Sequence, residues 1–138
     1  MSVIVWHNPK CSTSRNAVAL LKASGEQPEI VEYLKQPPTA TQLAQLLSKM
    51  GLTARDLIRS KETVYSELGL DDLNLTEDEL IGAMVTHPVL INRPIVITDK
   101  GAVLCRPLEQ IFSVLGDNAV SEFEKENGEV IHRPSTRS

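Results

Sequence analysis

The sequence has few cysteines, no excess of basic charge and no long apolar segment, and each shortage excludes a class of protein. Its 138 residues include two cysteines, too few for a disulfide scaffold or a four-thiolate zinc site. The net charge of −4 argues against non-specific nucleic-acid binding, which needs a basic face. No apolar run approaches the roughly 20 residues that span a bilayer. We therefore expect no nucleic-acid partner and no membrane association.

Several motifs are also missing. A tyrosine-phosphatase loop needs an arginine six residues beyond its cysteine, and position 17 is alanine. No phosphate-binding glycine loop, HExxH motif or dinucleotide fingerprint is present. The first residues, MSVIVW, lack the charged leader and apolar core of a signal peptide. We expect a single cytoplasmic domain with no metal and no tightly bound cofactor.

Three segments at the start of the chain predict a strand, a helix and a second strand. Val3–Trp6 is rich in β-branched and aromatic residues, which suits a buried strand. From Ser12 the apolar residues follow helical spacing until Gly25, and Ser12 or Thr13 is expected to cap this helix. A strand follows at 29–34, and so short a crossover predicts parallel pairing.

Across residues 39–87, the spacing of the apolar residues and the positions of capping residues indicate helices. Gly51 is expected to end one helix and Thr53 to cap the next. Thr76 and Glu79 form a capping box at the start of the last helix in this stretch. The stretch therefore predicts a helical insert.

The strand pattern returns after this insert. Ile95–Thr98 and 102–105 predict a hairpin, with Gly101 in the left-handed position of a three-residue loop. Pro107 is expected to start a last helix, because proline suits the first helical turn. Gly116 is expected to end that helix.

The final residues are polar, with a small hairpin expected at Asn127-Gly128 and a loose tail over 132–138. The order β-α-β, helical insert, β-β-α predicts an α/β protein with a thioredoxin-like fold. The predicted divisions are a core of 1–36 and 88–116, a helical insert of 37–87, and a partly flexible extension of 117–138.

Cys11, in the stretch HNPKCSTSR, is the first catalytic candidate. It lies between a strand end and a helix start, where backbone N–H groups favour an anion and a thiol can have its pKa lowered. Ser14 occupies the place of the second cysteine in a Cys-x-x-Cys redox site. The alternative for Cys11 is a small apolar residue packed at the strand end. Cys105 is expected to be a buried structural thiol, although pairing with Cys11 stays open.

Two Arg-Pro steps flank the predicted hairpin. Arg93 precedes the third strand and Arg106 follows the fourth, so antiparallel pairing places them opposite each other. Like charges in that arrangement are unfavourable, and an anion between them is therefore expected. The alternative is pairing with acidic side chains at the surface. The peptide bond before Pro94 is a candidate for the cis form.

Two further residues are weaker candidates. His7 lies four residues before Cys11 and could favour the thiolate or shuttle a proton, although such a histidine is as often a packing residue. Arg59 ends a short predicted helix, where a cation is generically favourable.

Five segments carry a resemblance to a known family, namely HNPKCSTSRNAVALLKASG, EYLKQPP, LIRSKE, HPVLINRPIVIT and LCRPLEQI. In order and spacing, from Val3 to about Leu115, the sequence resembles the glutaredoxin-coupled, ArsC-type arsenate reductases. The resemblance implies a thioredoxin-like fold with a helical insert. It also implies reduction of arsenate to arsenite in arsenical resistance, with glutathione as co-substrate and glutaredoxin as partner.

The resemblance implies residue roles as well. Cys11 matches the nucleophile that attacks arsenic and carries a covalent thiol–arsenate adduct. The other matches are three arginines that bind the oxyanion, a histidine beside the nucleophile and a hydrogen-bond partner of the thiolate: Arg59, Arg93, Arg106, His7 and Ser14.

Other functions remain open at this point. A glutathione-dependent thiol oxidoreductase is one, although disulfide exchange needs no set of three arginines. An Spx-like transcriptional regulator is another, although those proteins typically carry Cys-x-x-Cys where this chain has Ser14. A third possibility is that another oxyanion is the natural substrate.

Overall fold

A four-stranded mixed sheet organises the computed structural model, which describes residues 1–134. The strands are β1 (Val3–Trp6), β2 (Glu29–Val31), β3 (Ile95–Thr98) and β4 (Gly101–Leu104). Their order is β2-β1-β3-β4, with β1 parallel to β2 and antiparallel to β3. This sheet and its element order confirm the predicted thioredoxin-like fold.

The remaining described elements are mostly helical. The α-helices are α1 (Ser12–Ala23), α2 (Ala40–Met50), α3 (Ala54–Leu57), α4 (Thr63–Glu67) and α5 (Glu77–Thr86). Short 3-10 helices cover Pro88–Leu90 and Leu108–Val114, and a C-terminal hairpin consists of β5 (Glu122–Glu124) and β6 (Val130–His132). Within residues 1–134, no helix is long and apolar enough to cross a membrane.

The chain divides into two compact units. One unit comprises Met1–Val31 and Arg93–Ser138 and holds the four-stranded sheet, α1 and the C-terminal hairpin. The other comprises Glu32–Asn92 and holds α2 to α5. The predicted insert of 37–87 falls inside this second unit.

The first unit has its core between α1, the sheet and the 3-10 helix Leu108–Val114. Apolar residues of α1 recur at helical spacing and are fully buried, as are sheet residues opposite them: Ala17, Leu20, Leu21, Val5 and Val96. Burying a leucine or valine side chain contributes about 1.5–3 kcal/mol. This packing fixes the position of α1, and therefore of the loop that precedes it.

The second unit depends on helix caps. Thr39, Thr53 and Thr76 each begin a helix with a reciprocal capping box, which satisfies two otherwise unpaired backbone donors. The cap predicted at Thr53 and the capping box predicted at Thr76 are therefore confirmed, and Gly51 ends α2 in the left-handed conformation. Helices α2 and α5 pack against each other within this unit.

Two predictions near the start of the chain were wrong. The N-cap of α1 is Cys11 rather than Ser12 or Thr13, because Cys11 has an extended backbone and its carbonyl accepts the Arg15 N–H at 3.0 Å. Strand β2 stops at Val31 instead of continuing to position 34.

The β3–β4 hairpin also differs from the prediction. Thr98 pairs with Gly101, so the loop has two residues, and Gly101 is the first residue of β4 with a φ of 144°. The last helix is a 3-10 helix. Leu108, Ile111 and Val114 are three residues apart and all buried, which matches the period of 3.0 residues per turn.

The C-terminal hairpin was predicted correctly at its turn. Gly128 has a φ of 88° between β5 and β6, a conformation that favours glycine. His132 ends β6 and so is not part of a loose tail. Residues 135–138 of the predicted tail lie outside the described residues.

Candidate active site

A tight turn places Cys11 at the start of α1. The Cys11 N–H donates to the Asn8 carbonyl at 3.0 Å, and the Lys10 N–H donates to the Asn8 side-chain oxygen at 3.0 Å. Cys11 retains 8% of its surface exposed. Its position at the positive end of a 12-residue helix favours an anion.

The surroundings of Cys11 favour its thiolate. Burial is the largest single effect and raises the pKa of Cys11, but the Ser14 amide, the Arg93 guanidinium and the Ser14 hydroxyl together lower that pKa to about 7. Ser14 is fully buried and its hydroxyl oxygen accepts the Asn8 N–H at 3.4 Å. The Cys11 thiolate is therefore more populated at neutral pH than the thiolate of an unperturbed cysteine.

The β3–β4 pairing brings the two predicted arginines together. Ile95 pairs with Leu104, and the same register places Arg93 opposite Arg106. One terminal nitrogen of Arg106, Nη1, lies 3.2 Å from the Arg93 carbonyl oxygen and 4.0 Å from the Cys11 sulfur. Both Arg-Pro peptide bonds are cis, one of which was predicted.

Cys105 has the opposite surroundings. It is fully buried and forms no disulfide, which confirms the prediction of a buried thiol. Burial raises the pKa of Cys105, so this side chain stays a neutral thiol at physiological pH. Its amide donates to the Pro94 carbonyl at 2.9 Å, a contact that ties the end of β4 to the start of β3.

The roles of His7 and Arg59 stay predictions. The His7 amide donates to the Val31 carbonyl at 2.9 Å, at the end of the β1–β2 ladder. Arg59 belongs to the second unit, where its amide donates to the Leu90 carbonyl at 2.8 Å. The Arg59 Nη1 atom is buried, and it lies 3.5 Å from a Glu62 carboxylate oxygen.

A link between the loop that precedes Cys11 and the C-terminal hairpin was not predicted from the sequence. Arg15 donates through Nε and Nη2 to the two carboxylate oxygens of Glu126, at 2.7 and 2.9 Å, and through Nη1 to the Pro9 carbonyl at 2.8 Å. The Glu126 amide donates to the Asn16 side-chain oxygen at 3.0 Å. These residues are 110 or 111 positions apart, and no local pattern pairs them.

Together these groups bring two guanidinium groups next to a cysteine whose pKa is lowered. A thiolate and an anion carrying two charges repel each other by about 8 kcal/mol at 4 Å, taking an effective dielectric of ~20. Arg93 and Arg106 place two positive charges beside the sulfur, which offsets that repulsion. The arrangement is suited to nucleophilic attack of Cys11 on a tetrahedral oxyanion.

Comparison with known proteins agrees with this chemistry. Residues 6–114 match the profile of the ArsC family. The chain is 45% identical over 131 residues to an arsenate reductase from Rhizobium meliloti (strain 1021), covering 95% of this chain and 94% of that protein. It is 44% identical over 130 residues to an arsenate reductase from Escherichia coli (strain K12), covering 94% and 92%.

A solved structure is similar over most of the fold. An arsenate reductase from Vibrio cholerae superimposes with a TM-score of 0.81 at 44% identity, covering 83% of this chain and 98% of that one. The alignments with curated relatives thus extend over nearly the whole chain, whereas the family profile ends at residue 114, before the C-terminal hairpin.

Proposed function

The chain belongs to the ArsC family, and on this premise we propose that it is an arsenate reductase in which Cys11 bonds covalently to arsenic and glutathione with glutaredoxin supplies the electrons. The observation that carries the proposal is the Cys11 thiol, with its pKa lowered to about 7, held beside Arg93 and Arg106. The reducing cytoplasm is the proposed location, because glutathione keeps thiols reduced there.

The proposed reaction balances in four steps. The Cys11 thiolate displaces one hydroxyl of arsenate, which takes up a proton from solvent and leaves as water, and an S–As(V) bond forms. The glutathione thiol displaces a second hydroxyl, again as water. A glutaredoxin thiol then attacks the glutathione sulfur, so that a mixed disulfide leaves and the electron pair of that S–As bond reduces arsenic to As(III). Water finally hydrolyses the remaining S–As bond and releases arsenite and free Cys11.

The arginines should contribute more to the rate than the lowered pKa does. Lowering a thiol pKa from about 8.5 to about 7 raises the thiolate fraction at pH 7 from roughly 3% to roughly 50%. Nucleophilicity falls with a slope of about 0.4–0.5, which leaves a net gain of about three- to fourfold. A preorganised donor facing a developing oxyanion is worth about 100- to 1000-fold. Charge compensation is therefore the larger proposed effect.

The buried, neutral state of Cys105 supports a reductant that comes from outside the chain. An intramolecular route would require Cys105 to attack as a thiolate, but its burial and raised pKa keep it neutral. Disulfide exchange in a simple thiol oxidoreductase would not require two guanidinium groups at the nucleophile. We retain Arg59 as a proposed oxyanion-binding residue and His7 as a proposed partner of Cys11, both because they match the family's pattern.

A coupled assay tests the proposal. Purified protein, arsenate, glutathione, glutaredoxin, glutathione reductase and NADPH should give NADPH oxidation that depends on arsenate and on each thiol component. Phosphate, sulfate and selenate serve as oxyanion controls. Absence of arsenate-dependent NADPH oxidation would reject the proposed function, and greater activity with another oxyanion would reassign the substrate.

A further inference from the structure

A pocket of about 400 Å³ opens beside Cys11 within the first unit. It is lined by Ser12, Thr13 and Asn16 from the start of α1, by residues 106–109 after β4, and by residues 125–127 of the C-terminal hairpin. Its volume falls within the range of roughly 300–1,000 Å³ typical of small-molecule sites. Arg106 belongs both to this lining and to the surroundings of the Cys11 sulfur, so the pocket adjoins the nucleophile.

The lining carries charges of both signs. Arg106 and Lys125 are cations, whereas Glu109 and Glu126 are anions. Glu126 is already paired with Arg15, but Glu109 makes no ion pair among residues 1–134. A multiply charged oxyanion would be repelled by these carboxylates. A zwitterion, with an ammonium group and separate carboxylates, matches the mixed lining.

The ammonium group of Lys125 can donate hydrogen bonds to a ligand in addition to its ion pair with Glu129. This group lies 2.7 Å from a Glu129 carboxylate oxygen, and an ammonium carries three donors. The first N–H groups of α1, at Ser12 and Thr13, have no partner within the helix. The pocket therefore offers several donors to a carboxylate and the Glu109 carboxylate to an ammonium.

We propose that this pocket binds glutathione, with its carboxylates held by Lys125, Arg106 and the start of α1, its ammonium held by Glu109, and its thiol directed at arsenic on Cys11. The inference rests on the proposed function and specifies where its co-substrate binds. In the step that it serves, the glutathione sulfur replaces an arsenic-bound hydroxyl, which leaves as water with the thiol proton.

The C-terminal hairpin is held in place before any ligand arrives. The Arg15–Glu126 pair and the hydrogen bond from the Glu126 amide to Asn16 attach the hairpin to α1. The hairpin wall of the pocket is thus fixed relative to the helix that carries Cys11. Such preorganisation reduces the entropy that binding would otherwise cost.

Steady-state kinetics of charge-removing variants test the pocket. Lys125→Gln should raise the KM for glutathione about tenfold, because a hydrogen-bonded charge is lost. Glu109→Gln should raise it about threefold, because its carboxylate is exposed. The KM for arsenate should stay within about twofold in both variants, since arsenate binds at Cys11 rather than in the pocket.

Two control variants separate ligand binding from support of the hairpin. Glu129→Gln removes the ion pair of Lys125 but leaves the cation, so the KM for glutathione should not rise. Lys35→Gln removes a comparable Lys–Glu pair, with Glu32 at 3.6 Å, outside the pocket. A rise of the same size in Glu129→Gln as in Lys125→Gln would overturn the proposal in favour of a structural role for the pair.

A binding measurement distinguishes failure of the pocket from failure of the function. S-methylglutathione, which has no free thiol, should shift the backbone amide signals of Ser12, Thr13 and 125–127 in a titration followed by NMR. Arsenate-dependent turnover with unchanged glutathione KM in the variants, or shifts confined to other residues, would overturn the pocket and leave the function standing. Binding at the pocket without arsenate-dependent turnover would overturn the proposed function alone.

Discussion

The two cysteines of this chain differ in pKa, because their surroundings shift it in opposite directions. Cys11 lies at the start of α1 beside Ser14 and Arg93, which lower its pKa to about 7. Cys105 follows β4 in the core of the same unit, where burial raises its pKa. Although burial raises both pKa values, only Cys11 has donors and a cation that outweigh it. A thiol is therefore made reactive by the groups around it, and Cys105 shows the outcome without them.

Of the substitutions considered, replacement of the two cysteines should give the largest difference in turnover. Cys11→Ser should lower arsenate-dependent turnover by at least about 10⁴-fold, as for loss of a catalytic nucleophile. Cys105→Ala should leave turnover within about twofold, with a loss of about 1–2 kcal/mol in the free energy of unfolding from the small cavity. The coupled assay and urea denaturation measure the two effects. Equal loss of turnover in both variants would instead indicate a Cys11–Cys105 disulfide.

Removing either arginine should separate binding of the oxyanion from reactivity of the thiol. Arg93→Ala and Arg106→Ala should each lower kcat/KM for arsenate about 100- to 1000-fold, because a cation facing the developing charge is lost. Cys11 should still react with iodoacetamide in both variants, but more slowly at pH 7 in Arg93→Ala, because the Arg93 guanidinium also lowers the pKa of Cys11. Arg133→Ala, which removes an arginine from the end of the C-terminal hairpin, is the matched control. Near-normal arsenate turnover in both site variants would show that charge compensation by these arginines does not determine the rate.

Ser14→Ala should make Cys11 more like an ordinary thiol. The pKa of Cys11 should rise, because its hydroxyl donor is lost while the Ser14 amide remains. Since thiolate is lost as pH falls below the pKa but a more basic thiolate is more nucleophilic, turnover should drop by less than about threefold at pH 7 and recover near pH 9. Ser113→Ala, an exposed serine, is the control. A pH profile of turnover identical to wild type would exclude Ser14 as a determinant of the thiolate.

Of these substitutions, Glu126→Gln should have the smallest effect on the reactivity of Cys11. The variant weakens the contact that connects the hairpin to Arg15, and Arg15 also donates to the Pro9 carbonyl in the loop before Cys11. Both partners are exposed, so the contribution of the ion pair is small. The rate of Cys11 alkylation should change by less than about twofold, and Cys105 should remain unmodified. A tenfold change in the Cys11 rate would show that the hairpin controls the loop.

Local patterns in the sequence predicted most of the fold. The spacing of Ala17, Leu20 and Leu21, the capping box at Thr76 and the position of Gly128 are all local signals, and the structure agrees with them. The prediction that Arg93 and Arg106 lie opposite each other succeeded because hairpin register is fixed by a short loop.

The errors and omissions concern details that tertiary packing decides. Cys11 itself is the N-cap residue of α1, and cysteine is not among the residue types that favour this position. The 3-10 form of Leu108–Val114 depends on packing of three residues at positions 108, 111 and 114 in the core. The link between Arg15 and Glu126 joins residues 111 positions apart, and pairing over that distance has no local signature.

The pH dependence of alkylation in the native protein tests the central claim most directly. Iodoacetamide should modify Cys11 with a rate that rises to a plateau with a midpoint near pH 7, and peptide mapping by mass spectrometry should find Cys105 unmodified. A midpoint at or above about 8.5, the value of an unperturbed thiol, or equal modification of the two cysteines would contradict the account.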